Sequence, residues 1–291
     1  FAFVMMIYRK PWVLWHQDVQ AIAIKSFAGD KLGKGFLVAA KGIELGERWC
    51  SRRAAAIVVI ADSFVDVHRQ WKSADKVTVI PNWAPLDEIY PVERHNKWSG
   101  EQGLNDIKTI VYSGTLGLKH NPELLPALAR QVIDAGTPVQ LVVVNEGPAV
   151  GVLEEEAARL DVPLKRLPFQ PYERLPEVLG SGDVLVVLLE KEAGAFSVPS
   201  KTLSYLCAGR PILGLMPAEN LAAQLVSEVD GCVLPPVADS LPRAAAWVSK
   251  VLADSEDSAR IGAQSRALAE EKFALEGCAN RFEEILNKAA K

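Results

Sequence analysis

Short apolar runs alternate with amphipathic stretches along most of this 291-residue chain. That is the pattern of a parallel sheet whose strands are joined by crossover helices. In the first part, Trp12–Trp15, Ala56–Ala61 and Val77–Ile80 read as buried strands, while Glu44–Arg53 and Ser63–Lys72 carry helical spacing. Pro81-Asn82-Trp83-Ala84-Pro85 is turn-rich punctuation. The second part is more regular. It predicts strands at Ile107–Tyr112, Val139–Asn145, Leu164–Pro168, Asp183–Leu189, Pro211–Leu215 and Gly231–Leu234, with helices between them. Asn121-Pro122-Glu123 reads as a helix cap followed by a first-turn proline, and Gly136 as that helix's end. From about Ser240 the pattern is helical to the last segment, Cys278–Lys291.

The chain exceeds the usual size of one hydrophobic core, so two domains are expected. We expect residues 1–90 to be the remnant of an N-terminal Rossmann-like domain and residues 91–105, polar with Pro91, Gly100 and Gly103, to be a linker. Residues 106–272 form the second domain, and 273–291 a final helix that packs back on the first. There are no internal repeats or low-complexity segments.

With 49% apolar residues, neither metals nor disulfides are needed for stability. Cys50, Cys207, Cys232 and Cys278 are scattered, a spacing that suits neither a zinc site nor a disulfide framework and fits a reducing cytoplasm. Net charge is −4, unevenly spread: residues 1–76 hold 12 Lys/Arg against 7 Asp/Glu. A basic part beside an acidic one suggests an anionic surface or substrate near the N-terminal part, although ordinary solvated charge explains it equally well. The opening apolar run, Phe1–Tyr8, is too short to span a bilayer. It reads as the end of a helix whose beginning is missing, and the protein as soluble or peripheral to a membrane.

In open parallel sheets, ligands sit beyond the carboxyl ends of the strands. Three such loops stand out. In Tyr112–Pro122, Gly114 and Gly117 allow close backbone approach and Lys119 precedes a helix, although the Gly-Lys-Ser/Thr ending of a Walker loop is absent. In Ala193–Lys201, Pro199 suits a first helical turn capped by Ser197 or Val198. The helix Ser200–Ala208 then presents free N–H groups, the Ser200 hydroxyl and the Lys201 ammonium together. Phe169–Pro176 offers backbone groups and an apolar floor for a nucleobase. Each is equally readable as an ordinary connection when taken alone. Trp12, Trp15, Trp83 and Trp247 read as packing residues rather than sugar platforms.

Taken together, the strings 112–123, 168–176, 196–201 and 204–211, with Pro81–Pro85, resemble glycosyltransferase family 4. The likeness is to its WbuB-like branch, linked to capsule, exopolysaccharide and O-antigen assembly. It covers roughly residues 12 to 290, with the motifs in order. It implies an α/β GT-B fold, two Rossmann-like domains facing a cleft, with the N-terminal one incomplete here. It also implies that Lys119 meets a donor diphosphate, that Phe169 and Leu175 line the base pocket, and that Phe196, Ser197, Val198, Pro199 and Ser200 bring backbone N–H groups to sugar and diphosphate, with Lys201 as a second cation. Gly114 and Thr115 belong to the same donor site, and Glu146 matches the acid of the family's Gly-Glu-Gly-Pro loop. Ser204 stands where many members carry a ribose-gripping glutamate. An earlier acid falls on Phe196, with Glu190 and Glu192 nearby, and Thr115 replaces a common arginine. The glycine-rich loop after the first strand of the N-terminal domain is absent.

His16 and Asp18, at a strand end, are candidate catalytic residues on the N-terminal side; tying down local backbone is the competing role. The expected activity is transfer of a hexose-type sugar from a nucleotide-diphosphate sugar to a lipid-linked saccharide. Retention of configuration is expected, with no metal and no cofactor, at the cytoplasmic membrane face. The partners are the nucleotide-sugar donor, the acceptor and a peripheral membrane contact, not nucleic acid. A GT-B nucleotide-sugar epimerase and a non-catalytic nucleotide-sugar-binding protein are the alternatives. Acceptor-side elements are expected to be missing from this chain, so that it binds donor and can fail to turn it over.

Overall fold

The computed structural model describes residues 2–20, 34–117, 120–190 and 200–290. Two units are present: Phe1–Trp83 together with Phe273–Lys291, and Ala84–Lys272.

In the first unit, β1 (Val13–His16), β2 (Ala56–Val59) and β3 (Val77–Val79) form a parallel sheet in that order, with Leu14 beside Ile57 and Ile57 beside Val77. The helices Lys34–Arg53 and Ser63–Gln70 belong to the same unit. So does the C-terminal helix Leu275–Ala289, whose Cys278 and Ile285 are buried with Val58 and Ile80. Arg281 of that helix donates to the Val79 carbonyl. Phe282 meets the Trp15 ring edge-on at 5.1 Å, and Trp83 stacks on the same ring at 6.1 Å. These aromatics pack on one another, although Trp15 and Trp83 each keep a large exposed edge.

The second unit holds six parallel strands: β4 (Lys108–Ser113), β5 (Val139–Val144), β6 (Leu164–Leu167), β7 (Val184–Leu188), β8 (Ile212–Leu215) and β9 (Cys232–Leu234). Their order is β6-β5-β4-β7-β8-β9. β7 and β8 are covered on both faces, which is why their sequences are continuous apolar runs rather than alternating ones; every residue of both is buried. The edge strand β6, Leu-Lys-Arg-Leu, is only half-buried. Ile110, Leu141, Val186 and Leu213 join Leu125, Leu128, Ala244 and Val248 from the helices Leu124–Asp134 and Leu241–Ala253 in one core.

Two expectations need correction. The helix after β4 begins at Leu124, not at an Asn121 cap: Asn121 has φ +47°, in the left-handed region. A residue before proline is pushed out of the right-handed helical region, and Asn tolerates the left-handed one. Gly136, at φ +90°, does end that helix. Residues 91–105 are built into the second unit rather than strung out as a linker. The helix Lys97–Glu101 is capped reciprocally by Asn96 and Ser99, and Trp98 is fully buried, donating to Gln170 Oε1 at 3.1 Å. Trp98, Ser99 and Leu104 anchor the segment as buried residues, while Glu93, His95, Lys97, Glu101 and Asn105 keep its outer side in solvent.

Candidate donor-binding site

In the second sheet β4 and β7 are neighbours although chain order runs outward from them in opposite directions. Such a reversal leaves a crevice beyond the carboxyl ends of the strands. A pocket of about 460 Å³ lies there, lined by residues that follow β4, β5 and β6 and by the first turns of the helix Ser200–Ala208.

Gly114 turns the chain out of β4 at φ +132°, its amide donating to Val144 O at 2.9 Å. A Cβ at this position would lie 3.1 Å from Lys201 Nζ, so glycine makes room for the ammonium as well as for the turn. Lys201 donates to the Tyr112 hydroxyl and sits 3.9 Å from the centre of that ring. The Tyr112 hydroxyl in turn donates to Thr115 O at 2.9 Å. No carboxylate pairs with Lys201 among the described residues, and burial pulls its pKa down to about 7. Burial pushes the Tyr112 phenol well up, with Tyr205 adding to the effect, so it stays protonated. Tyr205, one turn further along the helix, takes the Ser113 amide on its hydroxyl at 2.9 Å and pins the helix start to the end of β4. The N–H groups at this helix start have no intrahelical acceptors, and the helix dipole favours an anion beside them.

The opposite wall is apolar. Phe169, Tyr172, Leu175 and Leu179 line it, and the rings of Phe169 and Tyr172 are about half exposed. Glu146, after β5, accepts from the Phe169 amide at 3.3 Å and so ties this wall to the end of β5; it does not itself line the pocket. Behind it Asn145 is fully buried with neither side-chain atom hydrogen-bonded. The arrangement suits a ligand with a flat ring at one end and an anionic group at the other.

Of the residues singled out from sequence, Gly114, Thr115, Phe169, Leu175, Ser200, Lys201 and Ser204 line this one pocket. Lys119, Phe196, Ser197, Val198 and Pro199 lie outside the described residues. Sequence reading missed Tyr112 and Tyr205, whose hydroxyls position Lys201 and the helix start. A tyrosine as the penultimate residue of the strand, directly after Ile110 and Val111, was the available signal.

His16 and Asp18 belong to the first unit. Asp18 is exposed, whereas the His16 side chain is only 8% exposed and is enclosed among its neighbours. Its Nδ1 lies 3.1 Å from His68 Nε2, and its Nε2 lies 3.8 Å from Glu47. His68 continues to Ser73 Oγ at 3.1 Å, and burial, reinforced by His16, lowers its pKa to about 4.

No family model matches the chain. Over 176 residues it is 26% identical to the putative colanic acid biosynthesis glycosyl transferase WcaI of Escherichia coli K12; the match takes in 58% of this chain and 43% of the relative. The chain thus spans less than half the length of the curated relative it matches. The whole chain superposes on solved structures of glycosyltransferase folds. Anabaena Alr3699/HepE in complex with UDP-glucose matches at a TM-score of 0.75 and 16% identity, over 99% of this chain and 75% of that one. The fold is GT-B. Sucrose-phosphate synthase from Thermosynechococcus elongatus matches at 0.74 and 18%, over 99% and 71%. WaaG, a glycosyltransferase involved in lipopolysaccharide biosynthesis, matches at 0.66 and 15%, over 95% and 75%.

Proposed function

We propose that this chain belongs to a glycosyltransferase of cell-surface polysaccharide biosynthesis and that its second unit binds the nucleotide-diphosphate sugar donor. The observation that carries this reading is Lys201: a partly buried cation without a carboxylate partner among the described residues, beside a helix start and the Gly114 turn, in a pocket whose other wall is aromatic and aliphatic. The HepE neighbour was solved with UDP-glucose, which supports a donor of that chemical class. In transfer, the bond from the anomeric carbon to the donor phosphate breaks, and negative charge grows on the departing nucleoside diphosphate. The Lys201 ammonium and the N–H groups at the start of Ser200–Ala208 meet that charge where it develops. With the leaving charge met in this way, a metal-independent reaction with retained configuration, as the family resemblance implies, needs no side-chain nucleophile.

The acceptor, on this reading, is a lipid-linked saccharide at a membrane surface. No described helix is long and apolar enough to cross a membrane. In the helix Lys34–Arg53, however, Val38, Leu45 and Trp49 are exposed at helical spacing, with Lys41 and Arg53 beside them. Flotation with vesicles containing anionic lipid tests the contact; indifference to that lipid counts against it.

The decisive test of donor binding is titration of the chain with nucleoside diphosphates and their sugars, followed by melting temperature and calorimetry. Binding of one base series, weakened about ten- to a hundredfold by Lys201→Met, is expected from loss of a charged hydrogen bond. Equal binding by that variant removes Lys201 from the donor site.

A further inference from the structure

At the other end of the second sheet, where β4, β7 and β8 begin, lies a separate recess of about 520 Å³. Arg94, His95, Lys108, Asp183, Arg210 and Ser258 are among its lining residues. Its acid is already committed. Asp183 Oδ2 accepts from Arg94 Nε at 2.9 Å and from the Thr109 amide at 2.8 Å, while Oδ1 faces Lys108 at 3.3 Å. Arg94 sends Nη2 to the carbonyls of Leu104 and Ile107, at 3.1 and 2.6 Å, and its Nη1 is enclosed without an acceptor. Asp106, the other acid of the lining, is exposed.

Arg210 is the unbalanced charge. It donates through Nη2 to Val92 O at 2.7 Å, and no carboxylate pairs with it among the described residues. Burial lowers its pKa and the neighbouring Arg94 charge adds to that shift, while the Asp183 and Glu93 carboxylates oppose it from beyond ion-pair distance. Two glycines hold it in place. Gly209 turns the chain at φ +63°, and a Cβ on Gly262 would stand 2.2 Å from the Gly209 carbonyl, so the helix Ser255–Phe273 lies directly against this turn.

We propose that this recess is a second anion site that takes inorganic phosphate or the phosphate of a small monoester on Arg210 and Lys108. A planar guanidinium with unused N–H groups matches phosphate oxygens in a bidentate fashion, and the long Lys108 side chain brings a second donor set. The same arginines hold the carbonyls of Val92, Leu104 and Ile107, so an anion here would fasten residues 92–107 to the start of the sheet. The site lies at the opposite end of the strands from the donor pocket and does not depend on that assignment.

The test is thermal unfolding of the full chain in phosphate against chloride at constant ionic strength, repeated in Lys201→Met to remove phosphate binding at the donor pocket. A saturable rise in melting temperature that persists in Lys201→Met is expected. Its half-saturation concentration should rise about tenfold or more in Arg210→Gln, the loss of one charge-assisted contact. If Arg210→Gln does not melt cooperatively, Lys108→Gln serves in its place, with a several-fold rise expected. Three results would overturn the proposal: no saturable effect beyond chloride, an effect abolished by Lys201→Met, or unchanged half-saturation in the substituted recess.

Discussion

Lys201 shows how a residue's chemistry depends on what surrounds it. An ammonium in water stays charged far above neutral pH, but this one sits against the Tyr112 ring with its pKa lowered to about 7 by burial. An anion in the pocket restores the charged form, so donor binding takes up a proton. As pH rises through 7 the empty site loses its charge while the occupied site retains it, and affinity falls. Between pH 7.5 and 9, nucleoside diphosphate should bind about twentyfold more weakly, and the dependence should be flat in Lys201→Met; calorimetry at the two values checks both. Gly114→Ala tests the same contact from the other side. It puts a methyl at φ +132° and 3.1 Å from the ammonium, costing about 1–3 kcal/mol of stability and weakening nucleotide binding. Denaturant midpoints and titration separate the two effects. The lysine and glycine were legible as a motif in the chain. The tyrosine under the lysine was not, because an aromatic at a strand end reads as core until the neighbouring helix is placed over it.

Among elements, the strands were the most legible. β7 and β8 are wholly buried and so appear as unbroken apolar runs, and β5 is interrupted only by Gln140, whereas the start of the helix Leu124–Asp134 turned on the φ angle of Asn121, which residue type alone does not set. The amino end of the sheet was invisible in sequence. Asp183 ties Arg94, Lys108 and the Thr109 amide together across 74 to 89 residues of chain. Asp183→Asn should destabilise the second unit by about 3 kcal/mol, since it leaves the Arg94 charge buried without its partner. Chemical denaturation reads this directly, and the pocket at the other end should still bind nucleotide.

At the level of the whole molecule, the first unit carries its own acid sensitivity. His68 is fully buried, with its pKa lowered to about 4 by burial and then by His16. The unfolded chain protonates near 6.5 while the folded chain resists until about 4, so stability is intact above 6.5 and is lost as pH falls through that window. A melting curve at pH 5 should lie below that at pH 7, and His68→Gln should narrow the gap. The same unit depends on the last helix of the chain. Ile285→Ala should cost about 2–4 kcal/mol by opening a cavity beside Val58 and Ile80, without changing nucleotide affinity in the second unit.

The sequence by itself determined the alternation of strands and helices and the position of the glycine and lysine turns. Those follow from local periodicity and from backbone preferences that each residue carries with it. Tertiary structure alone decided that β4 lies beside β7, which opens the crevice; that Tyr112 and Tyr205 meet Lys201 and Ser113; that His16 is enclosed against His68; and that residues 91–105 are packed rather than loose. Each of these joins residues far apart in the chain, where no local preference acts and only burial, charge pairing and hydrogen-bond satisfaction choose the partner.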